Sequence, residues 1–562
     1  MAAQYWTYQD MMTALHEWQA AFPSLMEVVV IGKSRQGRDM PAVILTNRAT
    51  GEPLAKSAIL VDANIHAGEV AGNAAAMYWI EWCVRQYGQN PEATHLLDHH
   101  TLYVIPRIAL DGAELYLTTP YRVRSSPHGY PYPEPPDGFV LEDVNGDGHI
   151  LTMRVPSEDG GFAVDEVDPR VMRRRHPGEV GGRYYHVFPE GHIERTAKAG
   201  PAPHWTRAEL ARRHTMDFNR NFPVRWAGEH GQPGAGPYPL SEPELQNLAR
   251  FVMSHPNIAA YVALHTAGGV ILRQPSTGED AVLSSTDRLL FTRTAQLGAQ
   301  VSGYFADSNY HVFATGHEAV LMPGAADDWM YDHLGVLSFT LEMWDLPRHA
   351  GARGYAAEGI RRMMTRTIEE EAEDQRKIYR WVDEMVPVEG FFPWTPFHHS
   401  DFGWVEIGGL NPKFVVQNPP PHLLEEECAH ASAFLTRLGL STPRLMLTEV
   451  NVTAEGPDLY RVVVEVTNAG FLPTSSTEKG KDLMLEGISA TLHGAATVVA
   501  GTSPMKLGHL DGYGTLETSA PPAHQRALAE WIVRAAIGTA VEVKVGGPRA
   551  GYVARTIRIG EG

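Results

Sequence analysis

Short apolar, β-branched runs alternate with helical or loop stretches over about residues 42–339 of the chain. The first unit reads SAILVDANIH, then the helical EVAGNAAAMYWIEWCVRQ, then HTLYVIPRI, and later runs are IAAYVALHT and GVLSFTLEMW. Strands that alternate with helices favour an α/β fold, in which a mixed, mostly parallel sheet is flanked by helices on both faces. In such a fold ligands bind beyond the carboxyl ends of the strands, so the residues that follow each run are the first candidates for a site.

The remaining parts of the chain carry different patterns. Residues 125–205 are rich in Pro, Gly, Arg and Asp with little periodicity, which predicts a long insertion on the surface of the first domain. Beyond about residue 442, runs such as LYRVVVEVTNAG alternate apolar and polar side chains, the pattern of antiparallel strands with one solvated face. We therefore expect a first domain over 1–385, a docking segment and linker over 386–441, and an all-β sandwich over 442–562.

Composition excludes several classes of partner. The chain has 562 residues with 47 Lys and Arg against 66 Asp and Glu, a formal net charge of −19. This acidic balance argues against nucleic-acid or anionic-membrane partners, because both need a cationic face. No run of about 18 apolar residues is present, so no transmembrane helix is expected. No signal peptide is visible, and Cys83 and Cys428 are too few for a disulfide framework, which predicts a cytoplasmic protein; secretion would need a leader preceding this sequence.

The turn after the first buried run carries His66 and Glu69, three residues apart. In a helical turn both side chains can reach one metal ion, because positions i and i+3 share a face. His-x-x-Glu also occurs by chance, as at residues 422–425, but His66 follows the run AILVDANI and Glu69 opens the next helix. His265 closes the run AAYVALH and is either a structural histidine or a third ligand. A catalytic zinc needs three protein ligands and an open position, so together these residues favour zinc.

Glu342 and the pair Asn219–Arg220 each have both a structural and a functional interpretation. Glu342 stands in the otherwise apolar LSFTLEMW, where an ionised carboxylate is costly unless it is paired or faces a cavity. It is therefore either a buried salt-bridge partner or a general base beside an activated water. Asn219 and Arg220 lie side by side in DFNRNF, a predicted loop. They form either an ordinary surface pair or a carboxylate site, because an arginine fork matches a carboxylate bidentately.

In order, the HxxE pair, an Asp-Gly turn, NRNF, a strand ending in His, and FTxE resemble the zinc carboxypeptidase family typified by carboxypeptidases A and B. The likeness runs from about Tyr5 to Pro347 and includes IGKSRQGR and the Asp-Gly turn that ends at Gly112. Each motif alone is common, but the ordered set is specific. The C-terminal strand pattern, including EVTNAGFLPTS, resembles the β-domain appended to large bacterial members.

The resemblance implies an exopeptidase that hydrolyses the C-terminal peptide bond of a peptide substrate with a free terminal carboxylate. His66, Glu69 and His265 would bind one Zn²⁺ per chain. Glu342 would be the general base that takes a proton from the metal-activated water and hands it to the leaving amine.

The resemblance also implies how substrate is held. Asn219 and Arg220 would bind the terminal carboxylate, which makes the enzyme an exopeptidase. An arginine downstream of the Asp-Gly turn would polarise the scissile carbonyl and stabilise its developing negative charge. Spacing selects Arg124, with Arg122 and then Arg154 as alternatives.

The chain departs from the family at several positions. The place of the family's mobile-loop tyrosine falls near Val320, and Tyr304 or Tyr310 are the candidate substitutes. Gly68 stands where the pancreatic enzymes have an arginine. Asp327 resembles the residue that selects Lys or Arg in B-type enzymes, so the resemblance implies a substrate pocket for basic side chains.

Asp143, Asn145 and Asp147, followed by Gly148, have the oxygen-ligand spacing of a calcium loop. The twelfth position is Arg154 instead of the bidentate glutamate. The segment is thus either a Ca²⁺ site that stiffens the insertion or an ordinary Asx-rich turn.

Other substrates fit the same site. Cell-wall peptides with γ-D-glutamyl or diamino-acid linkages, and N-acyl amino acids, also end in a carboxylate that Arg220 would hold. From another class, the chain could be a non-catalytic zinc-binding or adhesion relative. Retention of Glu342 argues against this, because a site without turnover has no need of a base.

Overall fold

The computed structural model describes residues 2–128, 138–194, 216–313, 322–354, 365–483, 486–515 and 523–560. The helices before residue 442 are α1 (Tyr8–Ala21), α2 (Val70–Gln86), α3 (Pro91–His99), α4 (Leu110–Thr118), α5 (Gly228–Gly231), α6 (Pro243–Ser254), α7 (Ser285–Ser302), α8 (Asn309–Phe313), α9 (Ala326–Asp332), α10 (Leu346–His349), α11 (Ile368–Met385) and α12 (Leu424–Ser441). The strands are β1 (Met26–Lys33), β2 (Asp39–Leu45), β3 (Ala58–Ala63), β4 (Thr101–Ile105), β5 (Gly138–Leu141), β6 (Thr152–Pro156), β7 (Phe162–Val164), β8 (Met172–Arg174), β9 (Tyr184–Pro189), β10 (Gly191–Glu194), β11 (Ile258–Thr266), β12 (Val270–Arg273), β13 (Phe305–Ser308), β14 (Leu337–Met343), β15 (Phe391–His399) and β16 (Gly403–Leu410). Within the described ranges, no helix combines the length and the apolarity that a membrane crossing requires.

Eight strands form the central sheet, in the order β1-β2-β4-β3-β11-β14-β12-β13. The middle strands β4, β3, β11 and β14 run parallel to one another, and β12 is parallel to β13. The pairs β1–β2, β2–β4 and β12–β14 are antiparallel. Every residue of β3, β4 and β11 is buried, as expected for strands covered on both faces. This mixed, mostly parallel sheet flanked by helices confirms the predicted α/β fold.

Side chains of β14 alternate between two helical layers. Phe339 packs against Phe291 of α7 and Phe434 of α12, with ring centroids 5.5 and 5.8 Å apart. On the opposite face, the Ser338 hydroxyl donates a hydrogen bond of 2.8 Å to the Asp327 carbonyl in α9. Because side chains alternate along a strand, the even-numbered residues of β14 point toward the α9 face.

The predicted surface insertion is largely β structure where it is described. Strands β6, β7, β8 and β9 join β15 and β16 in a six-stranded antiparallel sheet, in the order β15-β16-β6-β9-β7-β8, which we call the accessory sheet. Strand β5 pairs with β10 beside it. A separate apolar core lies under this sheet, formed by residues that include Phe139, Leu151, Met153, Ile193 and Ile407. The strands from the insertion are three to six residues long, too short for their periodicity to stand out between Pro and Gly.

Residues 386–441, predicted as a docking segment and linker, have a different structure. The first half supplies β15 and β16 to the accessory sheet. The second half forms α12, which packs against α2, α3 and α7 and buries Cys428, Phe434 and Leu438 in the main core. The second half of this segment is therefore an integral helix of the α/β fold rather than a linker.

The C-terminal part is all-β, as predicted, apart from the short helix α13 (Glu478–Asp482). Its strands are β17 (Leu445–Gly456), β18 (Leu459–Asn468), β19 (Ile488–Gly494), β20 (Thr497–Ala500), β21 (Met505–Gly508), β22 (Arg526–Arg534), β23 (Ala540–Gly547) and β24 (Gly551–Arg558). They form two antiparallel four-stranded sheets, ordered β17-β18-β22-β20 and β21-β19-β23-β24. The sheets enclose their own core, in which Val462, Val464, Trp531, Val543 and Val545 are fully buried.

Hydrogen bonds join the β-sandwich to the α/β domain. The buried Asp287 carboxylate accepts backbone N–H bonds from Glu478 (2.6 Å) and Lys479 (3.0 Å), and the Thr477 hydroxyl donates to the Gly335 carbonyl at 2.7 Å. The Arg549 guanidinium donates to backbone carbonyls of the same region. The sandwich is thus held at the amino-terminal edge of β14 by buried polar contacts.

Candidate active site

Three neighbouring strands of the central sheet end at the candidate site. The order β3-β11-β14 places the turn after β3, with His66 and Glu69, beside the end of β11, which carries His265. The register pairs His265 with Glu342 of β14, and residues paired in this way point to the same face of a sheet. The sheet therefore brings together four polar residues that lie far apart in the sequence.

The turn between β3 and α2 is held by its own side chains. Asn64 adopts φ 58°, a left-handed conformation that asparagine tolerates better than most residues. Its Nδ2 donates hydrogen bonds to the carbonyls of His66 (2.6 Å) and Ala67 (3.2 Å). The Ala67 N–H donates to the Arg124 carbonyl at 2.7 Å. Glu69 precedes the first residue of α2, so both side chains are presented where the turn becomes a helix.

His66, Glu69 and His265 form a buried cluster whose ligand atoms all lie within 4.8 Å of one another. The Nδ1 atom of His66 is 2.8 Å from Glu69 Oε1 and 3.1 Å from Nδ1 of His265, which is 2.9 Å from Glu69 Oε2. Burial alone would raise the pKa of Glu69, but the two imidazoles outweigh burial and hold its pKa below the ordinary value. Two imidazole nitrogens and one carboxylate that converge beside a cavity fit a zinc ion with an open coordination position.

Asp217 is a site residue that sequence analysis did not single out. Its Oδ1 lies 3.2 Å from His66 Nε2 and accepts the backbone N–H of Asn219 at 2.9 Å, while Oδ2 accepts from Arg124 Nε at 3.0 Å. Burial opposes ionisation, but Arg124 and His66 outweigh it and hold the pKa of Asp217 well below its usual range. A carboxylate on the second nitrogen of a metal-binding histidine fixes the orientation of the ring. The available signal was an aspartate directly before Phe-Asn-Arg, at the start of a helical turn.

Glu342 lies on the floor of the same site. Burial raises the pKa of Glu342 to about 7, with Glu69 adding to the rise and His265 and Arg124 opposing it. Within the described residues, its Oε2 atom is buried and has no hydrogen-bond partner. A carboxylate oxygen left free beside a metal-ligand cluster is available to accept a proton from water or substrate.

The structure brings Arg124, and not Arg154, to the cluster. Arg124 bonds Asp217, as described, and its Nη1 donates to Glu69 Oε1 at 3.3 Å. Burial opposes the charge, but Asp217 and Glu69 raise the pKa of Arg124 above its ordinary value. Arg154 lies in the accessory sheet, bonded to Glu406. Arg122, the other alternative, does not line the site cavity.

Asn219 and Arg220 lie in a helical turn, Phe218–Arg220, on the other side of the cluster. The buried Asn219 side chain accepts the Ala326 N–H at 2.8 Å, which ties this turn to the start of α9. A Cβ at Gly324 would lie 2.3 Å from the Arg220 carbonyl oxygen, so only glycine allows this approach. Arg220 Nη1 donates to the Asn219 carbonyl at 2.6 Å, and both residues line the cavity described next.

All eight predicted site residues line one cavity of about 230 Å³: His66, Glu69, Arg124, Asn219, Arg220, His265, Asp327 and Glu342. Asp327 lies away from the cluster, where Ser276, Asn309 and Thr340 also line the wall. Its Oδ2 accepts a hydrogen bond from the Asn309 amide at 3.0 Å. The cavity therefore combines a cluster of candidate metal ligands, the two arginines Arg124 and Arg220, and an acidic recess at Asp327.

The next residue, Asp328, is a second buried carboxylate that lies outside the described cavity wall and has different surroundings. Asp328 accepts hydrogen bonds from Gln274 and Ser276 and forms an ion pair with Arg225. Burial and the neighbouring Asp327 raise the pKa of Asp328 to about 6, while Arg225 lowers it. Arg225 thus balances Asp328, whereas Asp327 faces a neutral amide.

Neither candidate substitute for the mobile-loop tyrosine lines the described part of the cavity, and Gly68 lies in a tightly packed position. Val320 lies outside the described residues. Tyr304 is buried and its hydroxyl donates to Glu427, and Tyr310 does not contribute to the described wall of the cavity. A Cβ at Gly68 would lie 2.7 Å from the Gln417 side chain and 2.9 Å from Tyr116, so no larger side chain fits there without displacement.

Of the two interpretations of the segment that begins at Asp143, the calcium site finds no support. Asp143 accepts backbone N–H bonds from Gly146 (2.8 Å), Asp147 (3.0 Å) and Gly148 (2.8 Å). Asn145 donates a hydrogen bond to the Asp147 carboxylate at 3.0 Å. These contacts describe an Asx-rich turn whose oxygens are occupied by its own amides.

Comparison with known proteins gives two matches to family models. The model for zinc carboxypeptidases matches residues 11–133 and 137–376, and a domain of unknown function matches residues 444–558. The first match covers the three cluster residues and Glu342; the second covers most of the β-sandwich.

Individual relatives are distant. Carboxypeptidase B2 of Bos taurus is 24% identical over 357 residues, covering 61% of this chain and 63% of the relative. Carboxypeptidase A1 of Mus musculus is 21% identical over 350 residues, covering 59% and 60%. The chain therefore spans less than two thirds of the length of these relatives. Among solved structures, carboxypeptidase A of Helicoverpa armigera is 17% identical with a TM-score of 0.39, covering 68% of this chain and 75% of that one. Because the family model matches more than half of the sequence, the chain belongs to the zinc carboxypeptidase family.

Proposed function

We propose that the protein is a zinc-dependent carboxypeptidase that releases the C-terminal residue of peptides. The observation that carries the proposal is the convergence of the His66–Glu69–His265 cluster, Glu342 and Arg220 on one cavity. A metal-ligand set, a base and a cation at separate positions are the groups that hydrolysis of a terminal peptide bond requires.

Zinc held by His66, Glu69 and His265 would lower the pKa of a water molecule and polarise the scissile carbonyl. Glu342 accepts the proton of the attacking water at its free Oε2 and returns it to the leaving amine. Arg124 donates hydrogen bonds to the carbonyl oxygen as negative charge develops on it. Hydrogen bonds to Glu69 and Asp217 hold the Arg124 guanidinium beside the metal-ligand cluster.

Arg220 and Asn219 make the enzyme an exopeptidase. The Arg220 guanidinium matches the terminal carboxylate bidentately, and the Asn219 amide adds a donor. At an internal peptide bond, the substrate would present a backbone amide instead of a terminal carboxylate to Arg220. The charge-assisted hydrogen bond would then be lost.

Asp327 favours substrates that end in lysine or arginine. Its carboxylate accepts a hydrogen bond from a neutral amide, Asn309, while Arg225 balances the adjacent Asp328. One net negative charge in a largely buried recess attracts a cationic side chain by Coulomb interaction.

The test is amino-acid release from peptides that differ only in the last residue, with and without a zinc chelator. We expect chelator-sensitive release of single residues, fastest from peptides ending in Lys or Arg. Glu342→Gln should abolish release while the protein keeps its zinc. Activity retained in this variant would refute the base assignment.

Asp327→Asn tests the specificity separately. We expect kcat/KM for peptides ending in Arg to fall by about 10²-fold, the loss expected for a hydrogen bond to a charged group, with little change for apolar ends. Asp165→Asn, which changes a buried aspartate of the accessory region outside the described cavity wall, is the matched control and should leave this preference in place. No release from any peptide by the zinc-loaded protein would move the assignment to cell-wall peptides or N-acyl amino acids, and failure there too would favour a non-catalytic relative.

A further inference from the structure

A cavity of about 650 Å³ crosses the accessory sheet and shares no lining residue with the candidate active site. All six strands contribute to its wall, through Pro396 (β15), Trp404 and Glu406 (β16), Arg154 and Pro156 (β6), Tyr185 (β9), Val164 (β7) and Arg173 (β8). We propose that this cavity, which we call the accessory groove, binds a neutral oligosaccharide.

The groove follows from the strand register. Pairing of β16 with β6 ends at Glu406 and Arg154, whereas β6 goes on to pair with β9 as far as Pro156 and Tyr185. Beyond Glu406, β16 and β6 therefore separate and leave space on the face of the sheet. Five gaps between six strands span about 24 Å, the length of a short oligosaccharide that lies across the strands.

The floor of the groove holds a preorganised donor and acceptor pair. Arg154 is only 9% exposed and donates to Glu406 from Nε (2.8 Å) and Nη2 (3.1 Å). Its guanidinium lies over the rings of Trp394 and Tyr185, 4.6 and 5.5 Å from their centroids. The Glu406 side chain is 28% exposed, so the pair is only partly buried, and an ion pair that buries its arginine is seldom more stable than an apolar pair of the same size. Stability alone therefore does not account for it. Adjacent sugar hydroxyls both donate and accept, and so can bond the carboxylate and the guanidinium together.

Trp404 supplies an apolar platform at the edge of the same groove. Its side chain is 68% exposed although the next residue, Val405, is buried in the core under the sheet. His398 supports the ring at an edge-to-face centroid distance of 5.3 Å. The face of a pyranose ring that carries C–H groups is apolar and packs well on an indole.

The net charge of the groove and its direction across the strands favour a neutral sugar chain over other polymers. The groove is lined by three arginines (Arg154, Arg173, Arg183) and three glutamates (Glu166, Glu179, Glu406), so its net charge is 3 − 3 = 0. Nucleic acids and other polyanions need an unbalanced cationic surface. A peptide recognised by a sheet extends it along an outer strand, whereas this groove runs across all the strands. A neutral sugar chain fits both observations.

The test is isothermal titration of the full chain with three neutral hexasaccharides: cellohexaose, chitohexaose and maltohexaose. We expect saturable binding of at least one, independent of peptide hydrolysis. Trp404→Ala should weaken that binding about tenfold, the effect of losing one aromatic contact of this kind. Glu406→Gln should weaken it as well, because the acceptor loses its charge.

Tyr513→Ala is the matched control, because Tyr513 is an exposed aromatic side chain outside the groove. It should bind like the wild type. The proposal is overturned if no neutral hexasaccharide binds at millimolar concentration, or if Trp404→Ala binds as tightly as the wild type. Tighter binding of hexagalacturonate or of a proline-rich peptide at the groove would also overturn it.

Discussion

Asp217 shows how one side chain can control two groups of the site. It contacts His66 through one oxygen and Arg124 through the other, at 3.2 and 3.0 Å. For Asp217→Asn we expect zinc affinity and kcat each to fall by about 10- to 100-fold, the usual effect of losing a partner that orients a metal ligand. Zinc competition with a chromogenic chelator and steady-state kinetics measure the two effects.

A buried aspartate elsewhere provides the control for that experiment. Asp165 in the accessory region is also buried and bonds an arginine, Arg376, at 2.8 Å. Asp165→Asn should leave zinc affinity unchanged. Equal losses in the two variants would show that Asp217 acts through general stability and not through the His66 ring.

Among the secondary-structure elements, α12 reaches the end of β14, the strand that carries the proposed base Glu342. Trp344, two residues after Glu342, has φ 60°, a strained conformation for a side chain of this size. The buried Glu427 of α12 accepts the Trp344 N–H at 3.1 Å and also accepts the Tyr304 hydroxyl. The Trp344 carbonyl in turn accepts the Gly268 N–H at 2.7 Å, next to the His265 loop. Glu427 therefore supports the end of β14, which contacts the loop after His265 and lies next to Glu342.

For Glu427→Gln we expect kcat to fall by about 10- to 100-fold with little change in KM, because a small displacement of the base slows chemistry more than binding. The matched control is Asp287→Asn. Asp287 is likewise buried and accepts two backbone N–H groups and a tyrosine hydroxyl, but it lies at the sandwich contact. The Asp287→Asn substitution should lower the melting temperature without lowering kcat. A Glu427→Gln variant that loses only melting temperature would contradict the positioning role.

The junction between α3 and β4 has a pH-dependent contact. His100 is buried, and its Nδ1 lies 2.8 Å from the Thr442 hydroxyl, just before the β-sandwich. Burial lowers the pKa of His100 to about 3, and the nearby cationic groups of His95, His99 and Arg444 act in the same direction. The unfolded chain then binds one more proton than the folded chain between pH 6.5 and about 3. Stability therefore decreases as the pH falls below 6.5, by up to about 1.4 kcal/mol per pH unit.

His100→Gln removes this titration. We expect the variant to lose less stability than the wild type between pH 7 and pH 5, as measured by urea unfolding at each pH. Identical pH dependence in the two proteins would contradict the burial of a neutral His100.

At the scale of the whole molecule, zinc should stabilise the fold apart from any turnover. A ligand that binds only the folded state stabilises it by about 4 kcal/mol when present at 1,000 times its dissociation constant. We expect the chelator-treated protein to melt several degrees lower, and Zn²⁺ but not Ca²⁺ to restore the melting temperature. Glu342→Gln should respond to zinc like the wild type. A melting temperature that does not respond to zinc would refute the metal site.

The sequence predicted the α/β fold, the all-β C-terminal part and eight of the residues that line the site cavity. The signals were local: a period of two residues, a histidine at the end of a buried run, and a glutamate within an apolar run. Such signals depend on a few neighbouring residues, and so they can be read from the chain alone.

Which distant groups meet depends on how the whole chain packs. Asp217 contacts His66 across 151 residues, Arg154 pairs with Glu406 across 252 residues, and α12 belongs to the main core although its sequence position suggested a linker. The entropic cost of closing a loop grows only slowly with its length, so a large sequence separation does not exclude such contacts. No local sequence pattern predicts them. Local sequence patterns therefore predicted most strands of the central sheet, the all-β character of the C-terminal part and the candidate residues of the site. The packing of those elements decided what contacts the candidate metal ligands, where Glu342 is held, and how the insertion forms a sheet with a groove of its own.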